Sequence, residues 1–177
     1  MKSWTIIICF AFFLLQVTSV IADLQNSRVR TRRPQRTGTT PSKPNPTPTP
    51  GVGNDDLQKM LELVNQQRQQ NGQNPLQLDS RLVQAAQKHT DYQASIGQIT
   101  HDEPGRPLST RVSETGFKWT ALGENVAMGY TSVEAVMNGW MNSPGHRQNI
   151  LNPQFTHFGS GYVANGNYWT QDFARQA

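Results

Sequence analysis

Two histidines and one carboxylate lie in polar segments outside the apolar patterns of the sequence. They are His101, in a turn-like run, Glu124, between a glycine and Asn125, and His146, after a Ser-Pro-Gly sequence. Neutral imidazoles and a carboxylate are a good ligand set for zinc or a similar divalent cation. The three residues are 23 and 22 positions apart, and the His-Glu-x-x-His spacing does not occur. Spacing alone therefore leaves open whether they share a site.

The Ser-Pro-Gly sequence predicts where the helix before His146 ends. An apolar helical pattern runs up to Trp140 and Met141 and stops at Pro144, which cannot continue a helix. Gly145 tolerates backbone angles that other residues avoid. The pattern therefore predicts His146 in a loop beside a helix end, and a helix stop followed by a histidine without a role is the alternative.

The other two histidines have structural interpretations. His89 lies inside a predicted helix near its apolar stripe, and His157 opens a predicted strand. Both are interpreted as packed or surface residues rather than as ligands.

The first 22 residues have the pattern of a secretory signal peptide. Lys2 is followed by an apolar stretch over residues 6–15, and cleavage is expected after Ala22. An uncleaved membrane anchor is the alternative, but the stretch is short for a spanning helix and Gln16 interrupts it. No second apolar segment follows, so we expect a soluble, extracellular protein. Its only cysteine, Cys9, lies in the signal, which excludes disulfides from the mature chain.

Residues 23–53 are basic and then rich in proline and threonine. Six Lys and Arg against Asp23 give this segment a net charge of +5. Its composition predicts a disordered or extended linker, and a processing site at residues 30–33 and a tail that binds acidic surfaces remain alternatives. Residues 54–177 form the predicted domain, with nine Lys and Arg against eleven Asp and Glu, a net −2. A nucleic-acid-binding domain is not expected from this balance.

Apolar residues recur at helical spacing in three segments of the domain. The first helix is predicted to begin at Asn54 or Asp55 as cap and to end at Gly72, and the second to run from a cap at Asp79 to Gly97. A third is predicted to begin at Thr131.

The third helix has the spacing of a capping box, because Glu134 follows Thr131 by three residues. Trp140 lies on the apolar stripe of this helix and is therefore assigned to the core.

Strands are predicted towards the end of the chain. Residues 158–163 and 168–173 flank an Asn-Gly pair, which is a strong hairpin signal. Residues 119–126 favour a further strand, whereas the rest of residues 105–127 favours no single element. Helices first and a hairpin last are typical of a single α+β domain with helices packed on a sheet.

In this order and at these spacings, the motifs of the chain resemble those of the CAP superfamily. This is the SCP domain of cysteine-rich secretory proteins, wasp-venom allergens and plant pathogenesis-related proteins. The match covers residues 57–173, nearly the whole domain. It rests on residues 64–68 (Val-Asn-Gln-Gln-Arg), 74–79 (Asn-Pro-Leu-Gln-Leu-Asp), 82–89, Thr100-His101, Gly123-Glu124-Asn125, Trp140, Gly145-His146-Arg147 and 168–173 (Tyr-Trp-Thr-Gln-Asp-Phe).

The resemblance implies a three-layer α-β-α sandwich. It also implies that His101, Glu124 and His146 line one central cleft that can hold a divalent cation, with Asn125 supporting it. Many eukaryotic members have a second acid where this chain has Ser143, and they have cysteines that it lacks. The chain therefore resembles the compact, cysteine-free branch best known from bacteria.

Three functions remain open at this stage. The resemblance implies a secreted binding module for a lipid, a sterol or an extracellular protein. A metal-dependent hydrolase or protease is the alternative, in which zinc activates water and Glu124 is a ligand or general base. A structural protein attached to an acidic polymer through its basic tail is the third. The sequence does not predict the oligomeric state.

Overall fold

The computed structural model describes residues 53–177 as five helices and four strands. The predicted signal peptide and nearly all of the predicted linker lie outside the described residues. No helix within residues 53–177 is long and apolar enough to cross a membrane. The elements are α1 (Asn54–Gln70), β1 (Gln77–Leu78), α2 (Ser80–Ile96), α3 (Leu108–Glu114), β2 (Trp119–Met128), α4 (Val133–Met141), α5 (Pro144–Leu151), β3 (His157–Val163) and β4 (Tyr168–Gln176).

The strands form one mixed sheet in the order β1-β3-β4-β2. The hairpin strands β3 and β4 are antiparallel, β2 pairs antiparallel with β4, and the short β1 pairs parallel with β3. In this register Glu124 lies opposite Asp172, and Asn125 lies opposite Gln171. Because β2 is an edge strand, groups on both faces of the sheet can meet around it.

Helices cover both faces of the sheet, so the α+β class and the layered architecture are confirmed. One buried cluster joins α1, α4 and α5 to the sheet and includes Met60, Trp140 and Phe173. The second joins α2 and α3 to the opposite face and includes Leu82 and Val112. Trp140 is 2% exposed, as its place on the apolar stripe predicted.

Three of the four ends of the first two helices agree with the prediction from neighbouring residues. The Asp79 side chain accepts a hydrogen bond from the Arg81 amide at 2.9 Å, and Gly97 ends α2 with a left-handed φ of 67°. Gly72, with φ 72°, follows the end of α1. The predicted cap at Asn54 or Asp55 is wrong, because α1 includes both residues and no side chain caps it.

The predicted capping box of the third helix is also wrong. Ser132, not Thr131, is the N-cap, and its hydroxyl accepts from the Ala135 amide at 3.1 Å. This shift by one residue removes Glu134 from the position that a capping box requires. Its carboxylate lies 3.9 Å from Lys59 instead.

The predicted loop around His146 is a helix. Ser143 is the N-cap of α5 and Pro144 is its first residue, so His146 lies in the first turn. Proline cannot continue α4, but its fixed φ suits the first position of a new helix, where no amide hydrogen is needed. The Ser-Pro-Gly sequence therefore ends one helix and begins the next.

Candidate functional site

Glu124 is the centre of a buried ionic cluster on the α2 and α3 side of β2. The residue is 7% exposed. Its Oε2 accepts a hydrogen bond from Arg111 Nη1 at 2.7 Å, and its Oε1 accepts one from His101 Nδ1 at 2.9 Å. Burial raises the pKa of Glu124, but hydrogen bonds from His101 and Arg111 outweigh it and leave the pKa below its ordinary value. The carboxylate is therefore ionised at neutral pH.

His101 presents its ring to solvent while Glu124 holds one nitrogen. Its side chain is 57% exposed, and Nε2 has no hydrogen-bond partner within residues 53–177. The hydrogen bond to Glu124 raises the pKa of His101, against a smaller opposing effect of burial. Arg111, from α3, also donates to the His101 carbonyl at 3.3 Å, which fixes the backbone of this segment.

The sequence interpretation missed the buried partners of Glu124. Arg111 is 2% exposed, and His89 is fully buried with its Nε2 3.8 Å from Glu124 Oε2. His89 is packed, as interpreted, but it packs inside the cluster and donates from Nε2 to the Thr100 carbonyl at 2.8 Å. No sequence motif identifies His89 and Arg111 as partners of Glu124, because they come from α2 and α3 and do not adjoin Glu124 in the sequence.

A second buried carboxyl faces the same side of the sheet. Asp172, opposite Glu124 on β4, is fully buried and neither of its oxygens accepts a hydrogen bond from another described residue. Burial, and then the neighbouring charge of Glu124, raise the pKa of Asp172 well above its ordinary value. Asp172 is therefore the neutral member of a carboxyl pair.

Asn125 points to the other face and connects to His146. Its Nδ2 donates to Gln171 Oε1 at 3.1 Å and to the His146 carbonyl at 3.2 Å. Asn149, from α5, donates to Asn125 Oδ1 at 2.9 Å and to the Glu124 carbonyl at 3.0 Å. These amides attach α5 to the edge of β2. Asn149 and Gln171 are further positioning residues that the sequence analysis did not single out.

His146 lies half-buried on α5. Burial lowers the pKa of His146, and the nearby charge of His101 lowers it further. The two histidines of the candidate site therefore differ in protonation, with His101 favouring the charged form and His146 the neutral one.

An apolar pocket of about 240 Å³ adjoins His146 at the edge of β2. Trp140 lies at its base and donates from Nε1 to the Val126 carbonyl at 3.3 Å. Ile99, Met128 and Tyr130 form its rim and are 39%, 44% and 37% exposed.

The predicted metal ligands do not form a three-ligand set in this arrangement. No group of three or more His, Cys, Asp or Glu side chains in the described part of the chain could hold a metal ion. Both Glu124 oxygens are occupied, one of them by the Arg111 cation. Zinc binding by His101, Glu124 and His146 stays a prediction.

The comparisons with known proteins agree on the family and the fold. Residues 61–173 match the sequence model of CAP, the cysteine-rich secretory protein family. The chain is 43% identical over 117 residues to the uncharacterized protein YkwD of Bacillus subtilis (strain 168), covering 65% of this chain and 45% of that protein. It is 30% identical over 119 residues to the uncharacterized membrane protein YlbC of the same organism, covering 67% and 34%. The chain thus spans less than half the length of these curated relatives.

Solved structures are similar over most of the described residues. An extracellular protein containing an SCP domain from Bacillus anthracis str. Ames has a TM-score of 0.65 at 30% identity, over 70% of this chain and 41% of that one. An outer surface protein from Borrelia burgdorferi has a TM-score of 0.67 at 20% identity, over 73% and 99%, which supports the fold alone.

Proposed function

This chain belongs to the CAP family, and from that premise we propose that it is an extracellular binding module whose apolar pocket receives a side chain of a protein ligand. Export is supported by the signal-like first 22 residues and by the extracellular SCP-domain protein among the similar structures. The pocket is lined by residues 126–128 of the edge strand β2 and by His146.

One observation carries the proposal: most of the large hydrophobic residues that the described part of the chain exposes line this pocket. Of the four large hydrophobic residues exposed within residues 53–177, Ile99, Met128 and Tyr130 line it. Soluble domains rarely cluster such residues without a binding partner.

The size of the pocket favours a side chain over a whole lipid. Its volume of about 240 Å³ is below the roughly 300–1,000 Å³ typical of small-molecule sites. A branched or aromatic side chain fits this space, whereas a whole sterol would leave most of its surface in water. His101 is close enough for its charge to act on the pocket-lining His146, and its charged form favours an acceptor or an anionic group on the ligand.

Two neighbouring isoleucines provide the test. Ile99 lines the pocket, and Ile96, 46% exposed, does not. The intact chain is titrated with four probes: N-acetyl-leucinamide, N-acetyl-phenylalaninamide, dodecanoate and cholesterol. Binding is followed by the shift of the indole N–H resonance of Trp140. We expect saturable binding of an amide probe that Ile99→Ala weakens about fivefold or more, with no change for Ile96→Ala. Equal effects of both variants, or no binding of either amide, would overturn the proposal, and binding of cholesterol or dodecanoate alone would replace the side chain with a lipid.

A hydrolase is the second candidate, favoured by the pairing of His101 with Glu124. The Glu124 carboxylate lies 2.9 Å from Nδ1 and raises the pKa of His101, so the protonated ring is suited to a general acid. If the chain binds zinc, the metal supplies an activated water. No hydrogen bond joins Ser143 to a histidine within the described range, so a serine nucleophile has no support. Hydrolysis of peptide or ester substrates that is lost in the His101→Ala, His146→Ala double variant would support this candidate, and hydrolysis that survives would exclude the two histidines as its catalytic groups.

A further inference from the structure

Trp119 borders two open hollows on a part of the domain that the proposed function does not use. One, of about 370 Å³, is lined by Ser113, Phe117 and Lys118 among others. The other, of about 570 Å³, is lined by Ser109, Thr110, Ser113 and Glu114. Trp119 and Ser113 line both hollows, which therefore adjoin each other between α3 and the start of β2, and we name the two together the Trp119 groove.

The indole of Trp119 is held in a fixed position. Its Nε1 donates to Ser113 Oγ at 3.0 Å, and part of the ring packs against the buried cluster that contains Leu82 and Val112. Trp119 also lies at an irregularity in the β2–β4 register and pairs with Gln176. Since its only polar hydrogen is already used, the ring can offer a ligand its apolar surface and no hydrogen bond.

Polar groups surround this apolar ring. On α3, residues 109 and 113 and residues 110 and 114 form two i, i+4 rows. The hydroxyls of Ser109 and Thr110 have no hydrogen-bond partner among the residues that the structure describes. Glu114 is paired with Arg106 at 2.5 Å, and the exposed Lys118 lines the hollow of about 370 Å³.

This combination fits the chemistry of a sugar ring. A pyranose has one face of C–H groups, which packs on an indole, and a perimeter of hydroxyls that donate and accept hydrogen bonds. An apolar peptide side chain would match the indole alone, whereas a sugar ring also presents hydroxyls to the polar side chains that line the two hollows. We propose that the Trp119 groove binds a pyranose oligosaccharide, with one ring on the indole and its hydroxyls on the side chains of α3 and Lys118.

The proposed sugar site is separate from the apolar pocket. Trp119 begins β2, and Val126, which lines the pocket, lies seven residues further along the same strand, about 23 Å at the rise of an extended chain. The inference therefore does not depend on the proposed function.

The test is a titration of the intact chain with three neutral oligosaccharides, the β-1,4-linked tetramers of N-acetylglucosamine and of glucose, and the α-1,4-linked tetramer of glucose. Binding is followed by the indole N–H resonance of Trp119, assigned from its loss in Trp119→Phe. We expect saturable shifts of this resonance with at least one tetramer, and about tenfold weaker binding for Trp119→Ala. Tyr130→Ala is the matched control, because Tyr130 is an exposed aromatic residue of the apolar pocket. This variant should bind the tetramers as tightly as the unaltered chain does.

Two further variants keep the test decisive if Trp119→Ala lowers the melting temperature. Thr110→Val and Lys118→Ala each remove one polar group from the perimeter, and both should weaken binding severalfold at an unchanged melting temperature. No shift of Trp119 with any tetramer would overturn the sugar site. Binding that these variants leave intact, or that Tyr130→Ala weakens as much, would also overturn it.

Discussion

Arg111 and Glu124 form a buried ion pair that the fold has to retain. Both side chains are almost fully buried, and their atoms are 2.7 Å apart. Removing one partner of such a pair leaves a charge in the interior without compensation, whereas an intact pair contributes little net stability. The pair therefore serves to position a side chain, because Arg111 orients the Glu124 carboxylate that binds His101.

Replacing the cation tests this interpretation. Arg111→Met should lower the free energy of unfolding by about 3–5 kcal/mol, because Glu124 stays buried without its partner. Denaturant unfolding measures the loss. Lys59→Met is the control: its ammonium lies 3.9 Å from Glu134 in a pair whose side chains are both exposed, and its loss should be much smaller. Equal losses in both variants would contradict a buried pair.

Asp172 gives the domain a specific dependence on pH. The pKa of Asp172 is raised in the folded state, so the unfolded chain loses this proton first as pH rises. Its contribution to folding is therefore unfavourable above its ordinary pKa of 3.8 and grows until the pH reaches the folded pKa. Asp172→Asn keeps a neutral group that can donate to Glu124 and removes this dependence.

The variant should consequently gain stability relative to the unaltered chain as pH rises. We expect a larger difference in the free energy of unfolding at pH 8 than at pH 4, measured by denaturant unfolding at both. A difference that is the same at the two pH values would show that Asp172 titrates alike in the folded and unfolded states.

At the scale of elements, the packing of α2 on β3 depends on two glycines. A Cβ added at Gly161 would lie 2.6 Å from the Ala86 carbonyl oxygen, and one at Gly159 would lie closer still to the Leu82 carbonyl carbon. These are backbone atoms of α2, which cannot move without shifting the helix. The helix that carries His89 therefore approaches the sheet closely because β3 has no side chains there.

Gly161→Ala should destabilise the domain by about 1–3 kcal/mol, the usual cost of overpacking. Gly145→Ala is the control, because nothing lies within 4 Å of its added Cβ and alanine favours the helix that contains it. Thermal unfolding should show a lower melting temperature for the first variant and an equal or higher one for the second. A melting temperature for Gly161→Ala that matches the unaltered chain would mean that α2 lies further from the sheet.

Local chemistry explains which elements could be predicted. The Asn-Gly turn, the cap at Asp79 and the left-handed Gly97 are determined by neighbouring residues, and the hairpin and α2 agree with prediction. Local signals do not suffice where the same residues are compatible with two structures. Thr131 and Ser132 are both good caps, and Pro144 can end a helix or begin one.

The site could be predicted in part only. His101 and Glu124 lie within hydrogen-bonding distance, which spacing left open. The cation beside them could not be found, because Arg111 reaches Glu124 through the packing of α3 on the sheet, and a buried arginine looks like any surface arginine in sequence. Asn125 illustrates the same limit, since it adjoins Glu124 but points to the opposite face of β2.

At the scale of the whole molecule, charge is divided between the tail and the domain. Residues 23–53 carry a net +5, and residues 54–177 carry a net −2. A basic segment is attracted to acidic surfaces, whereas a segment with a net negative charge is repelled by them. We therefore expect the tail, rather than the domain, to determine retention on an acidic polymer.

Charge-neutralising variants of the intact chain test this expectation. Replacing Arg30, Arg32 and Arg33 with Gln removes three positive charges from the tail, and replacing Lys59, Lys88 and Lys118 with Gln removes three from the domain. On an immobilised acidic polysaccharide, the unaltered chain should be retained near 0.1 M salt and released towards 1 M, as the Debye length falls from about 10 to about 3 Å. The tail variant should elute at clearly lower salt and the domain variant close to the unaltered chain, with mass spectrometry confirming that each sample retains residues 23–53. Equal shifts for both variants would mean that retention follows net charge alone and would remove the tail from this role.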